Sequence, residues 1–229
     1  MKKSKKDVAL VVQLRLNSSR VHQKMIKPFA GTTLIDILLT KLSKSKSIPK
    51  ENIYISVFEN ELKSVVSKYG FNIYHRSEES ANAESGAPLI LEWWDKIPHK
   101  YVVTVSACNP LLKIETIDDF YDSYVNSDKN GAFAVFEKKQ YYWDSNGNMI
   151  QNYNPSDTGF NTKFVNPIYE AAHCLYASET NIIGSGYFMD TKFPPDVELV
   201  TMNELEAFDI DYEWQFKLGE ILYREGVHE

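Results

Sequence analysis

Residues 13–24 read Gln-Leu-Arg-Leu-Asn-Ser-Ser-Arg-Val-His-Gln-Lys, which sets three cations, Arg15, Arg20 and Lys24, around three small polar residues, Asn17, Ser18 and Ser19. Clustered phosphate oxygens need this kind of surface. Fixed cations neutralise charge, hydroxyls donate, and small residues let backbone N–H groups approach. Arg15 and Lys24 are suited to bridging oxygens on different phosphates. Arg20 is a third cation, for a phosphate or for a carboxylate elsewhere. The stretch follows an apolar run, Val8 to Val12. A strand end opening into such a loop is where an open α/β sheet holds phosphates. The loop lacks glycine, so it is neither a Walker motif nor a dinucleotide fingerprint, and by composition alone it also reads as a solvated surface loop.

Near the other end of the chain, Asp209 and Asp211 stand one residue apart. In extended backbone the two carboxylates can share a divalent ion beside a triphosphate. Alternatively, Asp211 caps a helix expected from residue 212. Asn82 follows His75 and Arg76 at a third expected strand end, in position to line a base or ribose pocket. Asn109 sits in the strand-end segment 105–112. His173 begins a strand, where a lone histidine is more often a hydrogen-bonded structural residue.

Positioning these groups takes a sheet. Apolar runs predict strands over 8–13, 53–58, 71–75, 101–106, 132–136, 173–177 and 197–201. Between them, helical spacing predicts helices over 32–46 (with Thr33 and Asp36 as a capping box), 60–69, 88–97, 114–126 and 212–223. Continuous rather than alternating apolar strands mean a mostly parallel sheet covered by helices on both faces, with ligands at the carboxyl ends of its strands. The fold class is therefore α/β, in a single domain spanning 1–229. Residues 137–168 break the rhythm with Tyr141, Tyr142 and Trp143, then Asn146-Gly147, then Tyr153 and Pro155. This reads as a protruding β-hairpin arm and a homodimer contact, with a locally packed surface hairpin as the alternative.

With 229 residues, 43% hydrophobic content and a net charge of −6, the chain reads as a soluble globular protein and not a general nucleic-acid binder. The basic start, Lys2 to Lys6, is expected to be a frayed, solvated terminus. No secretory signal and no membrane-length apolar run is present, and Cys108 and Cys174 lack disulfide or metal spacing. The compartment expected is the cytoplasm.

The stretch 13–24, followed by Ile26-Lys27-Pro28-Phe29-Ala30-Gly31 and Leu34, resembles the signature of sugar nucleotidyltransferases. It is similar to the spore-coat polysaccharide biosynthesis type, and to the acylneuraminate cytidylyltransferases (CMP-sialic acid synthetases), which share the Arg-x-x-Ser and a Lys nine residues beyond the Arg. Phe208-Asp209-Ile210-Asp211-Tyr212-Glu213 is similar to the cytidylyltransferases' C-terminal Asp-Ile-Asp-x-Glu segment. The resemblance implies a Rossmann-like nucleotide-diphospho-sugar transferase fold. It implies transfer of CMP from CTP to a sugar acid (an acylneuraminate or related keto sugar acid) with Mg2+, for surface polysaccharide biosynthesis. Arg15, Lys24 and Asp211 would then be catalytic. Asn17, Ser18, Ser19, Arg20 and Asn82 would join Arg15 and Lys24 on CTP. Asp209 and Asp211 would hold Mg2+, and Asn109 and His173 would touch the acceptor.

The middle of the chain departs from the family. Of its strand-end segment only Pro110-Leu111 survives, and the Arg and Asn-Gly pair of the sialic-acid enzymes are missing near 169–176. His173 and Tyr176 approach the His-x-x-x-Tyr of enzymes that activate the eight-carbon keto sugar acid Kdo. A Kdo-like sugar, a sugar 1-phosphate or a phosphonate therefore stand as alternative acceptors, and a non-catalytic scaffold as an alternative role.

Overall fold

The apolar run at the start of the chain is flanked by strands on both sides. In the computed structural model, which describes residues 3–150, 161–186 and 196–227, β1 (Val8–Gln13) pairs in parallel with β2 (Ile53–Val57) and with β4 (Tyr101–Val105). β3 (Asn72–His75) lies parallel beyond β2. β6 (Ile168–Glu179) is antiparallel to β4 and to β5 (Gly131–Lys138), and β7 (Val197–Thr201) runs parallel to β5. The order is β3-β2-β1-β4-β6-β5-β7, so β6 alone opposes the other strands.

Side-chain alternation along β1 divides the interior. Val8, Leu10 and Val12 enter the larger core with Leu38, Phe120 and Phe216, drawn from α1 (Leu34–Leu42), α5 (Ile114–Asn126) and α7 (Glu213–Arg224). Ala9 and Val11 enter a second core with Trp93 and Ile183, the latter on α6 (Thr180–Gly184). Layers on both faces explain why these strands read as continuously apolar. Thr33 caps α1, accepting the Asp36 N–H at 3.2 Å while its hydroxyl donates to the Asp36 carboxylate at 2.7 Å. α2 (Asn60–Val66) follows β2, and α3 (Glu78–Asn82) follows β3 with Ser77 as its cap.

Three expectations are corrected. The helix expected over 88–97 breaks into α4 (Ala87–Ile90) and a 3-10 turn, Glu92–Asp95. Its hydrogen-bond ladder fails because the Ile90 carbonyl is taken from outside, by Gln13 Nε2 at 2.9 Å, Ser80 Oγ at 3.0 Å and Arg76 Nη2 at 3.3 Å. The strand expected over 173–177 is longer at both ends. Its pattern is obscured by a bulge, where pairing jumps from Phe133↔Tyr176 to Val135↔Ala171. The basic terminus is not frayed at Lys3. Its ammonium donates to the carbonyls of Ser127 and Lys129 and lies 4.2 Å over the Tyr124 ring, so main-chain oxygens and an aromatic face replace its water.

The β5–β6 ladder continues to Lys138↔Ile168, into the arm. Beyond it, Trp143 bridges Met149 across the Asn146-Gly147 turn, where Gly147 takes φ +82 and the Asp144 carboxylate accepts the N–H groups of Asn146 and Asn148. Residues 151–160 of the arm, with Tyr153 and Pro155, lie outside the described residues. Among the described residues, no helix is long and apolar enough to cross a membrane.

Lys41 ties α1 to the strand-end segment after β4, donating to the carbonyls of Pro110 at 2.6 Å and Leu112 at 2.7 Å. Burial pulls its ammonium down to about 8 from the ordinary 10.5, against the opposing charges of Glu206 and Glu115. Between those pH values the unfolded chain binds a proton that the folded chain has released, so stability rises with pH through that window. In urea unfolding, we expect the wild type to gain on Lys41→Met by about 1–3 kcal/mol between pH 8 and pH 10. Below pH 7 the difference between the two should be flat.

Candidate functional site

The carboxyl ends of β1 and β4, with the segment after β3, enclose a cleft of about 570 Å3. That is the size range of small-ligand sites. Its charged lining is Arg15, Arg20, Lys24 and Arg76 against Glu84 and Asp211, so cations predominate.

The loop after β1 gets its shape from three buried anchors, Leu14, Val21 and Met25. Between them the chain turns back, with the Lys24 N–H on the Val21 carbonyl and the Lys27 N–H on that of Gln23, itself at φ +49. The apolar anchors face the core and leave the cations toward the cleft. Ser18 and Ser19 line it, whereas Asn17 is exposed outside the lining.

This loop meets the C-terminal segment directly. Lys24 Nζ donates to the Ile210 carbonyl at 2.6 Å and lies 3.5 Å from Asp211 Oδ1. Arg20 Nη2 donates to the same Oδ1 at 2.7 Å, and its guanidinium sits 5.4 Å over the Tyr212 ring. Ile210 is fully buried, and its N–H donates to the Cys108 carbonyl at 3.0 Å. Gly219 of α7 permits the close fit, since a Cβ there would stand 3.2 Å from both Ile210 and Phe208. Asp211 does not cap α7. Gln215 Oε1 instead accepts the N–H groups of Asp211 and Tyr212, each at 2.8 Å, which leaves the Asp211 carboxylate to the cations.

Asp209 has a different environment. Its Oδ1 is buried with no hydrogen-bond partner among the described residues. Burial, then the charge of Asp211, pushes its carboxyl above the usual range, while Lys24 opposes the shift. Two neighbouring carboxylates, one with an orphaned buried oxygen, suit a hard divalent cation with oxygen preference. Among the described residues, no group of three or more His, Cys, Asp or Glu side chains could hold a metal ion.

His173 lines the cleft within the β6 bulge, at φ +55, with Nδ1 2.6 Å from the hydroxyl of Tyr176. A left-handed non-glycine residue at a cleft is a local cost that the surrounding sheet must sustain. Asn82 and Asn109 are not brought to the cleft. Asn82 is exposed at the end of α3, and its neighbours Ala83 and Glu84 line the cleft instead. Asn109 is buried, and its amide donates to the Ala207 carbonyl at 2.9 Å, so it ties the segment before Asp209.

Arg76 is more central than its position in sequence suggests. It is buried, and among the described residues its hydrogen bonds go only to neutral oxygens, at Ser80 Oγ, Ser80 O, Leu14 O and Ile90 O. Burial pulls the guanidinium below its ordinary range. Gln13 is equally committed, donating to Ile90 O and accepting from Trp93 Nε1 at 3.0 Å. Cys108, a cleft residue at the end of β4, has its thiol raised by burial and opposed by nearby Lys24.

The cytidylyltransferase family model matches residues 9–181. The chain is similar to a 3-deoxy-manno-octulosonate cytidylyltransferase of Rickettsia bellii, 26% identical over 125 residues covering 53% of this chain and 49% of the relative. It is also similar to the spore coat polysaccharide biosynthesis protein SpsF of Bacillus subtilis, 22% identical over 135 residues covering 56% of this chain and 54% of that protein. The chain thus spans about half the length of the curated relatives it matches. A CMP:2-keto-3-deoxy-manno-octonic acid synthetase solved with CTP has the same fold, with a TM-score of 0.70 and 10% identity over 96% of this chain and 99% of that one.

The side chain of Lys24 is 13% exposed and that of Arg20 51% exposed, so the two ties should differ in worth. Lys24→Met leaves the Ile210 carbonyl buried without its donor and should cost about 1–3 kcal/mol in chemical unfolding. Arg20→Ala should cost under about 1 kcal/mol. Equal losses would mean that Lys24 is not the principal tie.

Proposed function

Because the chain belongs to the cytidylyltransferase family, we propose that it transfers CMP from CTP to a hydroxyl of a keto sugar acid and releases pyrophosphate. One observation carries the reading. The cationic loop and the Asp209–Asp211 segment, at opposite ends of the sequence, converge on one cleft of nucleotide size. The acceptor hydroxyl attacks the α-phosphorus of CTP, and the bond from that phosphorus to the bridging oxygen of pyrophosphate breaks.

Arg15 is the cation best placed to take triphosphate oxygens, since it has no hydrogen-bond or ion-pair partner among the described residues. Lys24 and Arg20 stand beside it and neutralise charge that builds on the leaving phosphates, with Ser18 and Ser19 as hydroxyl donors. Mg2+ would be held by Asp209 and Asp211. When bound, the ion screens phosphate charge and supports departure of pyrophosphate. The side chains supply position and electrostatics, which is most of what phosphoryl chemistry asks of a protein.

An eight-carbon 3-deoxy keto acid is favoured over an acylneuraminate as acceptor. The relatives named as 3-deoxy-manno-octulosonate cytidylyltransferases support it, as do the missing Arg and Asn-Gly pair of the sialic-acid enzymes. His173, with its ring fixed by Tyr176, is the side chain offered to that acceptor. A product of this kind serves surface polysaccharide biosynthesis. The free thiols of Cys108 and Cys174 fit a reducing cytoplasm. The arm exposes Trp143, Ile150 and Phe164, which suits contact with a second copy in a homodimer.

Pyrophosphate release from each nucleoside triphosphate, paired with eight- and nine-carbon keto sugar acids and sugar 1-phosphates, tests the reading. We expect turnover with CTP, an eight-carbon acid and Mg2+. Arg15→Ala and Asp211→Ala should each lower it by about 100-fold or more. Absence of turnover with every pair, together with no thermal shift by CTP, would favour the scaffold role and remove this one.

A further inference from the structure

Glu59 occupies the N-cap position of α2, yet its side chain makes no cap hydrogen bond. Its Oε1 instead accepts the backbone N–H of Leu16 at 2.7 Å, from a residue 43 positions away. Its Oε2 is buried with no partner among the described residues. A carboxylate that forgoes its own helix, and leaves one oxygen unsatisfied to do so, is poorly explained as a device of that helix.

Leu16 adjoins Arg15. On the other side of Arg15, Leu14 is fixed as well: its N–H donates to Ser56 O at 2.9 Å, and its carbonyl accepts from Arg76 Nη1 at 3.3 Å. The backbone is thus clamped on both sides of the one loop cation whose side chain has no partner among the described residues. Arg76 also braces Ser80 and Ile90, so it cannot be removed without disturbing α3 and α4. Among the described residues, Glu59 meets the loop through one hydrogen bond.

We propose that Glu59 is a positioning residue for nucleotide binding, acting through the Leu16 N–H to fix the backbone from which Arg15 projects into the cleft. The inference rests on the reading of the cleft as a nucleotide site. Without the carboxylate, the peptide between Arg15 and Leu16 is free to turn. The cost of ordering Arg15 then falls on the binding step.

Calorimetric titration with CTP and Mg2+ on the wild type, Glu59→Gln and Glu59→Ala is the test, with thermal midpoints and the exchange rate of the Leu16 amide. Glu59→Ala should bind CTP about tenfold more weakly, the worth of one charge-assisted hydrogen bond. Glu59→Gln keeps an acceptor for the N–H and should recover most of that loss, which a general packing role would not require. In the unaltered protein the Leu16 amide should exchange more slowly than those of Asn17 and Ser18. Undiminished CTP affinity in a folded Glu59→Ala chain would overturn the proposal. If that variant does not fold, equal exchange at Leu16 and Asn17 in the wild type would overturn it too. A wild type that binds no CTP refutes the nucleotide reading itself, a result distinct from either.

Discussion

The bond from the Lys24 ammonium to the Ile210 carbonyl spans 186 residues and joins the two segments that bring Lys24 and Asp211 to the cleft. Bringing such distant segments together costs conformational entropy that one hydrogen bond cannot offset. The sheet and the terminal helix meet that cost first. Phe29 packs edge-on against Phe216 at 5.1 Å, and Glu220 accepts the Ala30 N–H at 2.8 Å, where Ala30 takes φ +50. Lys27 closes the same seam onto Glu213. With α7 seated by these contacts and by the bare face at Gly219, Ile210 is pressed into the core and its carbonyl emerges within reach of Lys24.

That closure sets the electrostatics of the site. Asp211 is shared by Arg20 and Lys24, so the two ends of the chain neutralise each other. Among the described residues, Arg15 and Arg76 have no ion pair, and Arg15 is exposed where Arg76 is buried. Asp209 feels the charge of Lys24 and has a buried oxygen without a hydrogen-bond partner among the described residues. A buried guanidinium bonded only to neutral oxygens and a buried carboxylate oxygen without a partner both cost stability. Arg76 lines the cleft, and Asp209 lies two residues from Asp211, which lines it as well. Local cost that coincides with a cavity is the mark of a site shaped for binding rather than for folding.

Legibility in the sequence followed the range of the interactions. The strand over 8–13 stands where apolar spacing puts it because both its faces are buried, and the helix over 114–126 does so because one face is, while the strand over 197–201 forms along β5 with none of its residues fully buried. The Thr33–Asp36 cap was readable because a cap is local. The helix expected over 88–97 was not, since side chains of residues 13, 76 and 80 take its Ile90 carbonyl. In the cleft, the cations and the aspartate pair were visible as residue types. The brace through Glu59 was not, because a glutamate two residues past a strand looks like ordinary surface until its partner at Leu16 is known. Asn82 and Asn109 were candidates by position alone, and both sit where position misleads. One is a residue short of the cleft wall and the other is turned onto Ala207.

The β6 wall of the cleft was the least legible, and the bulge in that strand explains why. Between Tyr176 and Ala171 the strand carries more residues than its partner needs for pairing, so the apolar pattern loses its phase. His173 is set at φ +55 there, and its ring is held by the hydroxyl of a buried tyrosine. No spacing rule encodes that orientation. It arises because Cys174 must still give its carbonyl to the Ser106 N–H while Leu175 keeps register with Val105. The sheet therefore holds β6 on one side while the bulge re-aims a single side chain on the other. A change in the size or composition of the bulge would then re-aim His173 and leave the cationic loop after β1 untouched. This separation accounts for a chain whose cationic loop and aspartate pair follow a family pattern that its middle does not.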